Sequence, residues 1–148
     1  MHTASGGCHC DNIRVELTLT RSLSDYSPRA CDCGFCTRHR AAYISDPEGS
    51  LTVRMADPGN VGRYRQGSGT AQMLLCRNCG VLVGALFHDG VRDYATINAR
   101  ILDDAASCGA DQTVSPQKLS PAEKTDRWRH IWFSIVTLIS SVERSGTS

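Results

Sequence analysis

Three thiols fall within six residues at Cys31-Asp32-Cys33-Gly34-Phe35-Cys36, and two more pairs stand at Cys8-His9-Cys10 and Cys76-Arg77-Asn78-Cys79. Cysteines one or two residues apart let a tight turn aim both sulfurs at a single ion, so a chelating C-x-C is expected in a turn. Gly7, Gly34 and Gly80 sit beside these pairs and suit such a backbone. Soft thiolate sites without haem or iron–sulfur spacing take zinc by default.

The two outer pairs, Cys8, Cys10, Cys76 and Cys79, supply four sulfurs, which closes a tetrahedral structural site. The triplet Cys31, Cys33 and Cys36 supplies three and leaves a fourth position open, the arrangement of a reactive zinc. Two other readings stay open for the triplet: thiols holding no metal, or a structural zinc completed from elsewhere. Cys108, alone beside Gly109, is the residue that could complete it. An open three-thiolate zinc could bind an incoming thiol, lower its pKa and hold it beside an aldehyde. Arg29, Arg38, His39 and Arg40 flank the triplet and could offset the added negative charge or pair with carboxylates of the thiol. Asp32 is a candidate hydrogen-bond acceptor or base; His9 reads as a knuckle residue facing solvent.

The elements that must position these thiols come from a chain of 148 residues, read as one domain over 1–148. Sixteen Lys and Arg against fifteen Asp and Glu give a net charge of +1, which excludes a basic field for nucleic acid and favours a small-molecule partner. No apolar run is long enough to span a membrane. The first seven residues lack the charged start and apolar stretch of a secretory leader, so the expected location is cytoplasmic, where thiols stay reduced and bind metal rather than pair.

Ile13–Leu19 alternates apolar and polar residues, as does Leu51–Arg54, and both read as half-buried strands. Ala41–Ile44, Tyr64–Gln66, Ala71–Leu75, Val81–Phe87 and Val91–Asn98 are further candidate strands. Asp46-Pro47-Glu48-Gly49, Gly67-Ser68-Gly69 and His88-Asp89-Gly90 mark turns between them. The runs on either side of Cys76–Cys79 predict a hairpin whose turn is a zinc knuckle. Ser120-Pro121-Ala122-Glu123 is a capping box with proline at the first helical position. Trp128, Ile131, Trp132, Ile135 and Leu138 or Ile139 follow at helical spacing, predicting a C-terminal helix over about 120–140, with the two tryptophans as core aromatics. The expected fold class is mostly β with one closing helix.

Gly6-Gly7-Cys8-His9-Cys10, Cys31-Asp32-Cys33-Gly34-Phe35-Cys36-Thr37-Arg38 and Leu75-Cys76-Arg77-Asn78-Cys79-Gly80 together resemble the glutathione-dependent formaldehyde-activating family, which includes the zinc-binding region of centromere protein V. Asn98–Asp104 looks like that family's last sheet strand with its Leu-Asp-Asp ending. The resemblance covers about residues 4–105. It departs at Asp32, where the family often has histidine, and in the C-terminal segment.

The resemblance implies the small coiled β-fold shared with methionine sulfoxide reductase B and a Rab-GTPase accessory factor. It also implies a structural zinc on Cys8, Cys10, Cys76 and Cys79 and a second zinc on Cys31, Cys33 and Cys36. The activity implied is carbon–sulfur lyase chemistry, condensing glutathione with formaldehyde or another small aldehyde, with Arg38 and Arg40 as candidate glutathione contacts. Two alternatives from other classes remain: a non-catalytic zinc module, and a thiol redox sensor whose triplet releases zinc on oxidation.

Overall fold

The computed structural model describes residues 1–66 and 69–140, and the turn expected at Gly67-Ser68 lies outside them. Along the chain run β1 (His2–Gly7), β2 (Ile13–Leu19), β3 (Arg29–Cys31), α1 (Gly34–His39), β4 (Ala42–Ile44), β5 (Ser50–Met55) and β6 (Val61–Arg65). They are followed by β7 (Gln72–Cys76), β8 (Leu82–His88), β9 (Asp93–Asn98), β10 (Gln112–Val114), α2 (Pro121–Ile131) and β11 (Val136–Ser140). Among the described residues the strands form a four-stranded sheet, in the order β1-β2-β5-β11, and a seven-stranded sheet, in the order β10-β3-β4-β9-β8-β7-β6. The body is mostly β, as the alternating runs predict.

The small sheet buries one face. Ile13, Val15, Leu17 and Leu19 of β2 and Leu51, Val53 and Met55 of β5 point inward, and the residues between them are more exposed. The large sheet buries both faces. One face contributes Ile44, Leu74, Val83, Ala95 and Ile97 to the core shared with β2 and β5. The other contributes Tyr43, Met73, Ala85, Phe87 and Tyr94 to a second core with Cys33, Cys36 and Trp132. Burial on both faces is why β8 reads as an unbroken apolar run rather than an alternating one.

Several elements depart from expectation. The helix starts where its capping box puts it: the Glu123 amide donates to Ser120 Oγ and the Ser120 amide to Glu123 Oε1. It ends at Ile131, however, not near residue 140. Phe133 then exchanges both backbone hydrogen bonds with Ala95, and Val136–Ser140 lies parallel to β5 with Val136 opposite Leu51. The β-branched Ile135-Val136-Thr137 run favours a strand, and β5 offers an edge to receive it. Asn98–Asp104 is likewise not a strand: β9 stops at Asn98, a 3-10 turn covers Ala99–Ile101, and Leu102 makes a single bridge to Gly6. Finally, β1, α1 and β10 carry no apolar pattern that could have announced them.

Candidate functional site

β7 alternates its side chains between the two cores, and this divides the thiols. Leu74 and Cys76 belong to the core shared with the small sheet, while Met73 packs into the other. Cys76 therefore faces the N-terminal knuckle, and the triplet lies across the sheet from it.

On the first side, the sulfurs of Cys8, Cys10, Cys76 and Cys79 all lie within 4.8 Å of one another. Cys8 and Cys10 are 3.8 Å apart, and Cys10 and Cys76 are 3.6 Å apart. A tetrahedron with zinc–sulfur bonds of about 2.3 Å has edges of about 3.8 Å, so the set fits zinc. Both turns are knuckles. The Gly80 amide closes on the Cys76 carbonyl at 2.8 Å with Gly80 at φ 81°, a conformation that suits glycine. The Asp11 amide closes on the Cys8 carbonyl at 3.2 Å. At Gly7 a Cβ would lie 2.4 Å from the Ile13 carbonyl, so the knuckle enters through a gap only glycine leaves open. The Ile13 and Cys79 amides point at the Cys8 and Cys76 sulfurs. Burial pushes the Cys8 thiol up to about 12. At Cys79 burial acts the same way, but hydrogen bonds from the Val81 and Cys10 amides and neighbouring sulfurs outweigh it and bring the thiol to about 6. Four thiolates this close repel one another unless a cation is shared. His9 is exposed, as expected.

On the other side, the sulfurs of Cys31, Cys33 and Cys36 form a second group within 4.8 Å. Cys31 ends β3, Cys33 caps α1, and Cys36 sits inside its first turn, so strand, turn and helix converge on one point. The Cys36 amide and Gln66 Nε2 both approach the Cys33 sulfur at 3.4 Å. The Tyr43 hydroxyl lies 3.2 Å from the Cys36 sulfur. Hydrogen bonding from Cys36 draws the Cys31 thiol down to about 6, and the same contact together with burial drives Cys36 well above the usual thiol range. Burial, then the nearby Cys36 charge, raises Tyr43, so its hydroxyl keeps its proton at neutral pH. Cys108 belongs to neither group; it packs against the first core, where burial raises its thiol.

The triplet opens on a cavity of about 330 Å³. Lys124, Arg127, Trp128 and Ile131 line it at the i, i+3, i+4, i+7 spacing of one helix face. Trp132 continues that wall, its ring stacked on Trp128 at 4.7 Å. The tryptophans, expected as core aromatics, are therefore core and cavity wall at once. Asp32 does not line the cavity. It accepts hydrogen bonds from Ser115 Oγ and Gln117 Nε2, tying the segment after β10 to the triplet. Arg38 and Arg40 lie exposed at the end of α1, outside the lining, with Arg38 Nη1 on the Gly34 carbonyl at 2.7 Å.

The cation the structure brings in is Arg29. Its Nη2 donates to Ser45 Oγ at 2.8 Å and to Thr96 Oγ1 at 3.2 Å. Burial, with Arg127 nearby, lowers it to about 10, which leaves it charged at neutral pH. Gln66, Tyr43, Thr96 and the α2 face were missed by sequence reasoning. Only the capping box and the Lys124–Ile131 spacing gave a signal for any of them.

No curated protein matches the chain. A crystal structure of a Rhodobacter sphaeroides protein, a structural genomics target, is 30% identical over 67% of this chain and 87% of its own, with a TM-score of 0.50. The family model described as glutathione-dependent formaldehyde-activating enzyme matches residues 3–122, from β1 through both cysteine groups to the first residues of α2. With that match over most of its length, and with its sulfurs gathered into a set of four and a set of three, the chain belongs to the glutathione-dependent formaldehyde-activating enzyme family.

Proposed function

We propose that the protein is a zinc-dependent enzyme of the carbon–sulfur lyase class, joining glutathione or a similar thiol to formaldehyde or another small aldehyde at Cys31, Cys33 and Cys36. One observation carries the reading: three clustered sulfurs line a cavity, and no fourth cysteine belongs to their group. Zinc held there would supply Lewis acidity that lowers the pKa of an incoming thiol. The remaining work falls to the chain itself. Gln66 and Tyr43 orient the Cys33 and Cys36 sulfurs. Lys124 and Arg127 offset the charge that a bound thiolate adds. Trp128 and Trp132 wall the reaction from water.

In the reaction the thiol sulfur bonds to the carbonyl carbon, the π pair moves onto oxygen, and the thiol proton ends on that oxygen. Arg38 and Arg40, exposed on the flank of α1, contribute long-range attraction for an anionic thiol. Cys8, Cys10, Cys76 and Cys79 would hold a second, closed zinc that locks the fold, and the whole works as one domain. Reduced thiols suit a cytoplasmic setting.

The test is exchange spectroscopy on glutathione mixed with ¹³C-formaldehyde. The zinc-loaded protein should raise the interconversion rate above that in buffer, and Cys33→Ser should return it to the buffer value. A wild-type rate equal to buffer rejects the reading.

A further inference from the structure

Among the described residues no carboxylate neutralises the charge of Arg29. Arg29 precedes Cys31 by two residues on β3, so both side chains project from the same face of the sheet. Its strand partner Tyr43 does likewise, and all three line the cavity. The hydroxyls that receive Nη2 are themselves committed: Ser45 Oγ donates to the Ile131 carbonyl at 2.6 Å and Thr96 Oγ1 to the Ile44 carbonyl at 3.0 Å. They are neutral partners that fix the guanidinium without cancelling its charge.

Among the described residues no carboxylate pairs with Arg29, and Nε and Nη1 have no acceptor. No unsatisfied side-chain nitrogen is sealed from solvent either, so these two groups reach accessible space, and the space Arg29 lines is the cavity. Lys124 and Arg127 lie on the same wall without ion-pair partners among the described residues, and no Asp or Glu lines it. Nη2 is occupied by its two hydroxyls, so the guanidinium offers single donors at Nε and Nη1, which in a partly desolvated cavity suit one anionic oxygen of a carboxylate.

Resting on the reading above, we propose that the cavity takes a carboxylate-bearing ligand whose carboxylate accepts from the unpaired Nη1 of Arg29, with the reacting end at the cysteine triplet. The carboxylate belongs either to the thiol, as in glutathione, or to the carbonyl partner, which would then be a small 2-oxo acid instead of formaldehyde. A cavity of about 330 Å³ has room for more than a one-carbon aldehyde in either case.

Trp128 and Trp132 are the chain's two tryptophans and both line the cavity, so intrinsic fluorescence reports on it directly. The experiment titrates zinc-loaded protein with two matched pairs: glutathione against its diethyl ester, and glyoxylate against acetaldehyde. In one pair the acid should bind at least tenfold more tightly than the neutral compound, and that pair identifies which reactant carries the carboxylate. Arg29→Gln should bring that pair to equality with the neutral compound's affinity and the zinc content unchanged, and Arg29→Lys should recover part of the difference. The ligand series on wild-type protein stands even if a variant fails to fold.

Equal binding within both pairs, or no binding of any of the four, overturns the proposal. So does an Arg29→Gln variant that weakens acid and neutral compound alike, or that loses zinc, because Arg29 then serves the fold or the thiolates. S-methylglutathione separates this proposal from the reading it rests on. If it binds as tightly as glutathione, thiol capture by the triplet fails while the Arg29 contact survives.

Discussion

Cys76 ends β7 with 1% of its surface exposed, its sulfur 3.6 Å from that of Cys10 in the N-terminal knuckle. A metal held there joins residues far apart in the chain, and binding of that kind is folding free energy. Structural zinc contributes on the order of 10 kcal/mol in small domains, as much as the whole stability of an ordinary one. Cys76→Ser is therefore expected to unfold the protein or strip its tightly held zinc, read by circular dichroism and metal analysis. Cys33 closes no such long loop through a metal: the sulfurs grouped with its own are those of Cys31 and Cys36, two and three residues away. Cys33→Ser should keep the circular dichroism spectrum and melting temperature of the wild type and lower the metal content by one. If it aggregates as the Cys76 variant does, the triplet is structural. Cys108, outside both groups and packed against the first core, should be replaceable by serine with zinc content intact. Loss of one zinc on that change would show a closed second site.

At the scale of elements, Asp46 fixes the loop between β4 and β5. Its carboxylate accepts from the Thr20 amide at 2.9 Å, the Thr20 and Tyr26 hydroxyls at 2.6 Å, and the Glu48 amide at 2.9 Å. Burial alone would raise its pKa, but these donors outweigh burial and bring it from 3.8 to about 2. A depressed carboxylate stabilises above its unfolded value, and that stabilisation disappears as pH falls through the folded one. Asp46→Asn should thus cost about 2 kcal/mol at neutral pH. The gap between variant and wild type should narrow between about pH 4 and 2, checked by denaturant melts across that range. A gap independent of pH would assign the loss to packing. The turn at Asp46–Gly49 was legible, as were β2, β5, β7 and β8, because their residues alternate or form apolar runs between turn formers. β1, with the sequence His-Thr-Ala-Ser-Gly-Gly, was not: it is held by its ladder to β2 and has no apolar face of its own. β11 was misread because Ile135 and Ile139 continue the helical spacing of Trp128, Ile131 and Trp132 by coincidence. Cysteine spacing revealed both sulfur groups, since ligation demands local proximity. The cavity was hidden because Trp128 and Trp132 serve the core as well, and because an arginine beside a cysteine gives no sign of which way it points.

The whole molecule sets two sulfur groups on opposite sides of one seven-stranded sheet. The group of four lies between the N-terminal knuckle and the β7–β8 hairpin, where it ties β1, the edge strand of the small sheet, to β7 and β8 inside the large one. The group of three lies under α2, a helix with no fully buried residue, anchored by Trp132 and by the Asp32 contacts. α2 forms a wall of the cavity, and no helix among the described residues is long and apolar enough to cross a membrane. On the proposed reading the two metals are energetically separate, one coupled to the global fold and the other to a local cap. Chelation should then run in two phases. A mild chelator removes one zinc with little change in far-ultraviolet circular dichroism, while the stacked Trp128–Trp132 pair reports the loss through altered fluorescence. A stronger chelator removes the second together with the β-sheet signal. Added glutathione should slow the first phase alone, since it occupies the open position. Simultaneous loss of both metals and of the fold at one chelator concentration would mean that the sheet couples the two sites, and the triplet would then be part of the scaffold.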